Sequence, residues 1–225
     1  MDIQKYVEQL SKKLDFAGDP ERAGSMSKYM RDQFSFYGVA APVRKKVVAE
    51  HIAEFGYPEF ELWLEMAKYA WKEPREVQYA CIDIWIKRKK YIPIESAHFF
   101  EWIIKHDAWW DTVDLIASSL VGQWALSFPE KKTYIQDKWL TNTHLWLQRT
   151  AIIYQLKYKH KTDEDHLKNA ITQHANHPDF FIRKAIGWAL REYSKTDEKW
   201  VRGILDEYTF SNLSVREALK WLNNR

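Results

Sequence analysis

A chain of 225 residues, of which 46% are hydrophobic, is long enough to bury a substantial core. Its formal net charge of only +3 does not by itself indicate nucleic acid, so any basic surface must come from clustering of lysines and arginines. The single cysteine, Cys81, excludes an intramolecular disulfide and indicates a reducing compartment. No apolar leader opens the sequence and no apolar run is long enough to cross a bilayer, so we expect a cytoplasmic protein.

Helical periodicity runs through nearly the whole chain. Apolar residues recur three and four positions apart, and glycines and prolines separate the periodic segments. Helices are predicted over 2–14, 20–38, 42–55, 60–71, 75–88, 95–104, 131–139, 146–158, 164–175, 180–193 and 199–206. A further helix carries Trp109 and Trp110, with Asp107 as its N-cap, and a last one begins with the capping-box pair Ser214 and Glu217. Because no stretch alternates at period two, the predicted fold class is all-α.

Four of these helices open with the same pattern, an apolar residue followed by polar residues and then a small one. The four copies are 77–80, 147–151, 182–185 and 215–218. Their spacing is about 35 residues or twice that, which is typical of helical-pair repeats. The helix carrying Trp110 occupies the place of the missing copy. We therefore predict an α-solenoid with a concave face, an architecture that by itself favours a protein-binding scaffold.

Basic residues recur in clusters along the predicted solenoid, at 44–46, 87–90, 157–161 and 183–184. Each cluster alone can be explained without a nucleic-acid partner, because cations are favoured at helix C-termini and on solvated helix faces. Taken as a set they would form a positive track suited to a phosphate backbone. The tryptophans other than those discussed below occupy apolar helical positions, and we predict that they pack between helices.

Trp110 and Asp114 lie four residues apart, so on a helix they share one face. An indole face and a carboxylate both attract positive charge, so the pair suits a site that holds a cation. The alternative is a core tryptophan beside a solvated aspartate. A second carboxylate, Asp111, lies in the first helical turn, where it more simply stabilises the helix terminus. Of the two acids, Asp114 is the one that shares the face of Trp110.

Three segments resemble the signatures of the AlkD family, bacterial DNA glycosylases that are built from HEAT-like repeats and excise alkylated purines. They are Trp-Trp-Asp-Thr-Val-Asp at 109–114, Leu-Trp-Leu-Gln-Arg at 145–149 and Ala-Ile-Gly-Trp-Ala-Leu-Arg-Glu-Tyr at 185–193. A fourth, Met-Ser-Lys-Tyr-Met at 26–30, lies in the second helix. Thr112 stands where a serine is expected. The resemblance extends from the second helix to the last and implies one HEAT-like-repeat glycosylase domain over 1–225, with a concave DNA-binding face.

The resemblance also implies a role for five residues. Asp114 matches the catalytic carboxylate, and Trp110 and Trp188 match the two indoles that flank the sugar of the lesion. Arg149 matches a cation that grips the DNA, and Tyr29 matches an aromatic residue on the amino-terminal side of the cleft. All five are present, which argues against the inactive branch of the family.

The implied chemistry needs few groups. A purine alkylated at N3 or N7 is already cationic and leaves readily, so catalysis requires mainly stabilisation of the oxocarbenium-like sugar. We expect a monomeric, monofunctional glycosylase that releases 3-methyladenine and 7-methylguanine from double-stranded DNA without base flipping, and that uses no metal or other cofactor. Two alternatives stay open: a non-catalytic HEAT-repeat protein that binds damaged or distorted DNA, and a protein scaffold.

Overall fold

The computed structural model describes residues 1–224, and helices are the only regular structure in that part of the chain. The all-α prediction is therefore confirmed. The helices form two compact units, Met1–Asp107 and a second that begins at Ala108. The single domain predicted over 1–225 stays a prediction. No helix among residues 1–224 combines the length and the apolar character needed to span a membrane.

The first unit contains six α-helices and two 3-10 turns. They are α1 (Ile3–Phe16), α2 (Pro20–Tyr29), α3 (Ala41–Phe55), the turn Phe60–Leu62, α4 (Trp63–Ala70), α5 (Arg75–Lys87), the turn Lys89–Tyr91 and α6 (Ala97–Lys105). Helix α1 packs against α3, α4 and α5. In this core the indoles of Trp63 and Trp71 each stack on Trp85, with ring centroids 5.8 and 6.0 Å apart. All three are buried, which confirms the predicted packing role for them.

The second unit contains eight α-helices, two of which continue directly into π-helical segments. In chain order they are α7 (Trp110–Leu115), the π-helical segment Ile116–Val121, α8 (Gly122–Ser127), α9 (Lys131–Tyr134), the π-helical segment Ile135–Leu140, α10 (Leu145–Ile153), α11 (Glu164–Gln173), α12 (Phe180–Ser194), α13 (Glu198–Glu207) and α14 (Asn212–Leu219). Short 3-10 turns cover Lys159–Lys161 and Leu222–Asn224.

The repeated sequence pattern begins on α5 of the first unit, at 77–80, and its other three copies lie on successive helices of the second unit. Helices α7, α10, α12 and α14 are neighbours in that order, each packed on the next. The small residues of the pattern, Ala151, Ala185 and Ala218, are buried. Their burial fits the role expected of a small residue, which lets two helices approach closely.

Gly187 marks a close approach of two helices in this unit. A Cβ atom added there would lie 2.5 Å from the Cβ atom of Glu217 and 2.6 Å from the carbonyl oxygen of Ser214. Both distances are too short for any side chain, so only glycine lets α14 lie this close to α12.

Several predicted helix ends are wrong. Helix α2 ends at Tyr29 rather than near residue 38, because Arg31 and Asp32 adopt left-handed φ values of 58° and 57°. Asp107 is not an N-cap: its φ is 41°, and the helix begins only at Trp110, without a side-chain cap. Helix α10 ends at Ile153 rather than at 158.

The predicted capping box of the last helix is also wrong. Helix α14 begins at Asn212, and its N-cap is Ser211, whose hydroxyl oxygen accepts a hydrogen bond from the Ser214 N–H. Ser214 therefore lies inside the helix, and Glu217 is free of the capping role that the sequence suggested for it.

Candidate functional site

An aromatic cluster fixes the start of α7. Trp109 makes edge-on contacts with Trp146 of α10 and Phe181 of α12, with ring centroids 5.8 and 5.1 Å apart. Trp146 and Phe181 also contact each other, at 5.0 Å. Because these residues stand at or next to the first turns of three helices, the cluster ties the three amino-terminal ends together. This arrangement sets where the side chains of the next helical turn lie.

One turn further along, Asp114 and Arg149 form a bidentate ion pair. The Arg149 Nε–H donates to Oδ1 of Asp114 at 2.7 Å, and Nη2–H donates to Oδ2 at 2.8 Å. The Arg149 Nη1–H donates to the carbonyl oxygen of Phe181 at 2.5 Å. The side chain of Asp114 is 15% exposed and that of Arg149 is 6% exposed. The carboxylate is thus held in one orientation and keeps a narrow opening to solvent.

Opposing influences act on the acidity of Asp114. Burial raises the pKa of its carboxyl group, hydrogen bonds and positive charge from Arg149 lower it, and the nearby Asp111 raises it; the resulting pKa lies above the ordinary value of 3.8. In the bidentate geometry both carboxyl oxygens accept N–H groups from the guanidinium, an arrangement that favours the ionised form. A raised pKa in an oriented, half-buried acid is typical of a functional carboxylate.

The backbone becomes π-helical two residues after Asp114, over Ile116–Val121. Within it the Ser118 hydroxyl donates to the Asp114 carbonyl oxygen at 2.8 Å, and the Lys157 ammonium group donates to the Ser119 hydroxyl at 2.6 Å. Single π-helical segments inside α-helices are frequent at functional sites. Here the segment begins two residues after the acid that the sequence singles out.

The predicted site residues divide between the two units. Asp114 and Arg149 are in direct contact in the second unit, and Trp110 lies one turn before Asp114 on the same face of α7. Trp188 is half-buried on α12, two turns beyond Phe181 and on its face. The confirmed features are the shared face of Trp110 and Asp114 and the helical position of Trp188.

Tyr29 is the last residue of α2, in the first unit, and is 72% exposed. It lines an apolar hollow of about 210 Å³ together with Met26, Met30, Phe36 and Tyr79. An exposed ring at the edge of an apolar hollow can stack on a flat partner such as a nucleobase or sugar.

Sequence reasoning missed the pairing of Asp114 with Arg149 and the role of the Phe181 carbonyl group as an acceptor. A signal for the pairing was present: the two residues are 35 positions apart, about one repeat, so they occupy related places in adjacent repeats. Asp111, the alternative acid, is buried in the first turn of α7.

The predicted basic clusters contain both structural and exposed cations. Arg44 is buried, forms an ion pair with Asp83 at 3.0 Å and lies over the ring of Tyr79. Its neighbours Lys45 and Lys46 are exposed. The cluster at 44–46 therefore supplies two surface cations rather than three. Among residues 1–224, no group of three or more histidine, cysteine or acidic side chains could hold a metal ion.

Comparison with known proteins places the chain in a family. The sequence profile of the DNA alkylation repair enzymes matches residues 10–222. A predicted DNA alkylation repair enzyme from Enterococcus faecalis is 35% identical, with a TM-score of 0.84, over 92% of this chain and 98% of that chain. No curated protein matches this sequence.

Two Streptococcus mutans proteins share the fold at lower identity. They are AlkD2, with a TM-score of 0.67, and smu.31 from strain UA159, with a TM-score of 0.64. Each is 16% identical, over 98% of this chain and 99% of its own chain. The resemblance to AlkD proteins seen in the sequence is confirmed, and this chain belongs to the family of DNA alkylation repair enzymes.

Proposed function

We propose that this protein is a monofunctional DNA glycosylase that hydrolyses the N-glycosidic bond of cationic N3- and N7-alkylated purines in duplex DNA. The observation that carries the proposal is the Asp114 carboxylate, oriented by two hydrogen bonds from Arg149 and 15% exposed. Trp110, on the same helix face, adds an aromatic ring beside it. The family, the DNA alkylation repair enzymes, supplies the class of substrate.

The proposed reaction proceeds through charge stabilisation. As the bond between the sugar and the alkylated base breaks, positive charge develops on the deoxyribose, and a fixed carboxylate lowers the energy of that state. The base leaves as a neutral molecule because it carried a positive charge before cleavage, so no general acid is required. Water, oriented by Asp114, adds its oxygen to the sugar carbon and gives up a proton to the surrounding solvent, so that the positive charge of the lesion leaves as that proton.

The two indoles supply the remaining stabilisation. In the proposal Trp110 and Trp188 face the deoxyribose, and each ring contributes cation–π attraction of ~0.5–2 kcal/mol to the sugar cation. The lesion is not drawn into a pocket that reads the base. Selectivity then comes from the positive charge of the lesion itself, which a neutral base lacks.

Arg149 and Tyr29 are proposed to contact the DNA. Three N–H groups of Arg149 are engaged by Asp114 and Phe181, and a guanidinium carries five, so two remain for a phosphate. Tyr29 offers an exposed ring for stacking. The protein is proposed to act as a monomer on double-stranded DNA in the cytoplasm, where such a repair enzyme would meet its substrate.

The test is incubation with duplex DNA that has been methylated chemically, followed by chromatography of the released bases. Release of 3-methyladenine and 7-methylguanine is the expected result. Salt-dependent binding to duplex DNA without base release would instead identify a non-catalytic DNA-binding protein. The absence of both binding and release would favour a protein scaffold.

A further inference from the structure

A second carboxylate of the same unit gathers three cations. Glu217, on α14, is buried at the point where α14 lies closest to Gly187 of α12. Its Oε1 atom is 2.9 Å from Lys184 Nζ and 2.5 Å from Lys220 Nζ. Its Oε2 atom accepts a hydrogen bond from Arg191 Nη1 at 3.1 Å. Three positive groups from two helices thus converge on one negative group.

Glu217 is ionised at neutral pH. Burial raises the pKa of its carboxyl group, but hydrogen bonds and positive charge from Lys220 and Lys184 outweigh that effect and bring the pKa to about 2. At neutral pH the cluster therefore holds three positive charges and one negative charge. Its net charge of two positive units is concentrated around one oriented carboxylate.

The three cations remain accessible although they are held in place. The side chains of Lys184, Arg191 and Lys220 are 35%, 27% and 48% exposed, whereas Glu217 is 5% exposed. Among residues 1–224, the Arg191 guanidinium donates only to Glu217, which leaves further N–H groups available. The anion is thus buried, while the three cations that contact it stay partly exposed to solvent, where a further anion can reach them.

The Glu217 cluster differs from an ordinary surface ion pair of the same unit in its ratio of cations to anions. Lys168 and Glu207 lie 3.3 Å apart, with one cation for one anion and with both side chains more than a third exposed. Such a pair is neutral as a whole and has no excess charge to offer. The excess at Glu217 therefore sets this cluster apart from a structural ion pair.

The cluster flanks one of the residues proposed to face the substrate. On α12, Lys184 precedes Trp188 by four residues and Arg191 follows it by three, so the two cations lie one turn before and one turn after the indole. Gly187, which lets α14 and Glu217 pack closely against α12, immediately precedes Trp188. A phosphate at this cluster would lie beside any sugar that Trp188 contacts.

We propose that Lys184, Arg191 and Lys220, held together by Glu217, form a binding site for a phosphate of the DNA backbone next to Trp188. This inference rests on the proposed function only in naming DNA as the source of the phosphate. Lysine and arginine are the side chains that bind backbone phosphates in DNA-binding proteins, and the clustering arranges their donors before the DNA arrives.

The test measures binding of undamaged duplex DNA as a function of salt concentration. The double variant Lys184→Gln, Lys220→Gln removes the excess charge and leaves Glu217 paired with Arg191. The matched control, Lys168→Gln with Lys199→Gln, removes two charges from exposed positions on α11 and α13. In the test variant we expect the slope of log affinity against log salt to shrink by about two, and in the control to stay unchanged.

Two results would overturn the proposal: an unchanged slope in the test variant, or an equal decrease in both double variants. If the test variant fails to fold, the single variant Lys220→Gln at the most exposed cation must shrink the slope by about one. Single-turnover release of 7-methylguanine, measured in parallel, separates this proposal from the proposed function. Normal release with an unchanged slope rejects the phosphate site alone. A shrunken slope in the double variant, with no release by any of these proteins, rejects the glycosylase alone.

Discussion

Each unit of this protein contains a carboxylate largely withdrawn from solvent, and the two are satisfied in different ways. Glu76, in the first unit, accepts hydrogen bonds from the backbone N–H groups of Tyr37, Gly38 and Val39 at 2.8–3.0 Å. Asp114, in the second, accepts both of its hydrogen bonds from one side chain, Arg149. A carboxylate held by three backbone groups fixes a loop. A carboxylate that one side chain holds, as Arg149 holds Asp114, can still be approached by another cation from the opposite side.

Two of the buried arginines, one from each unit, show the same contrast. Arg75 donates to the side chain of Gln78 and to the carbonyl oxygen of Asp107, and its guanidinium lies 3.7 Å from the centre of the Phe34 ring. Through these contacts Arg75 joins separate segments of the first unit. Arg149 also binds a carbonyl group, but its principal partner is the Asp114 carboxylate. Burial alone therefore does not fix the electrostatic surroundings of an arginine, because similarly buried guanidinium groups have different partners.

The largest effect is expected from removing the charge of Asp114. We predict that Asp114→Asn lowers the rate of 7-methylguanine release by ~10²-fold or more, because the developing sugar cation loses its counter-charge. Binding of the duplex should be equal or tighter. Asp111→Asn is the matched control three residues away, and it should keep most of the activity. Near-normal release by Asp114→Asn together with an inactive Asp111→Asn would reverse the assignment.

The next effect concerns Arg149. In Arg149→Ala, burial continues to raise the pKa of Asp114 while the opposing hydrogen bonds and charge are gone. The pKa should therefore rise further, and the carboxylate should lose its charge at a higher pH than in the wild type. We predict slower base release at neutral pH, and we expect the acid limb of the pH–rate profile to move to higher pH.

The contact of Arg149 with DNA has its own readout. If Arg149 binds a phosphate, Arg149→Ala should also reduce the salt slope of duplex binding by about one. An unchanged slope with a displaced acid limb would mean that Arg149 only positions Asp114. An unchanged acid limb would contradict the coupling between the two side chains.

Glu76→Gln tests whether the buried carboxylate of the first unit has a purely structural role. The amide cannot accept from three N–H groups as the carboxylate does, so we predict that the free energy of unfolding falls by ~1.5–3 kcal/mol. Base release by the folded protein should be unchanged. Urea unfolding measures the first and single-turnover kinetics the second, with the exposed Glu95→Gln as the control for loss of a charge. A catalytic defect without loss of stability would show that Glu76 is not merely structural.

The smallest effect is expected at Trp110. Phenylalanine keeps an aromatic ring but offers a weaker negative face, so Trp110→Phe should slow base release by ~2–10-fold. The control is Trp200→Phe, at a ring that packs edge-on against Tyr193 with centroids 5.2 Å apart. Equal slowing in the two variants would indicate a general loss of packing rather than a contribution to the reaction.

The sequence predicted the helices well and some of their ends poorly, for a physical reason. Periodicity reports which face of a segment is buried, and this is what makes α5 and α12 recognisable. The end of α2 depends on Arg31 and Asp32, which adopt positive φ values. Neither is a glycine, the residue that would have indicated such a conformation in the sequence. Backbone conformations of this kind are stabilised by their surroundings and leave no local signature.

The same limit applies to the candidate site. Spacing on one helix was enough to place Asp114 beside Trp110. The pairing of Asp114 with Arg149 joins two helices, and the convergence of cations on Glu217 depends on how closely α14 approaches Gly187. Contacts of this kind follow from packing between repeats, so a pattern read within one helix does not contain them.

The most direct test of the account is base release from two duplexes that are identical except for one nucleotide, 7-methylguanine in one and uracil in the other. We expect release of 7-methylguanine and none of uracil, because Asp114 stabilises the sugar cation but nothing in the proposed mechanism activates a neutral leaving group. Comparable rates of release from the two duplexes would contradict it, since they would require a site that recognises and activates the base itself.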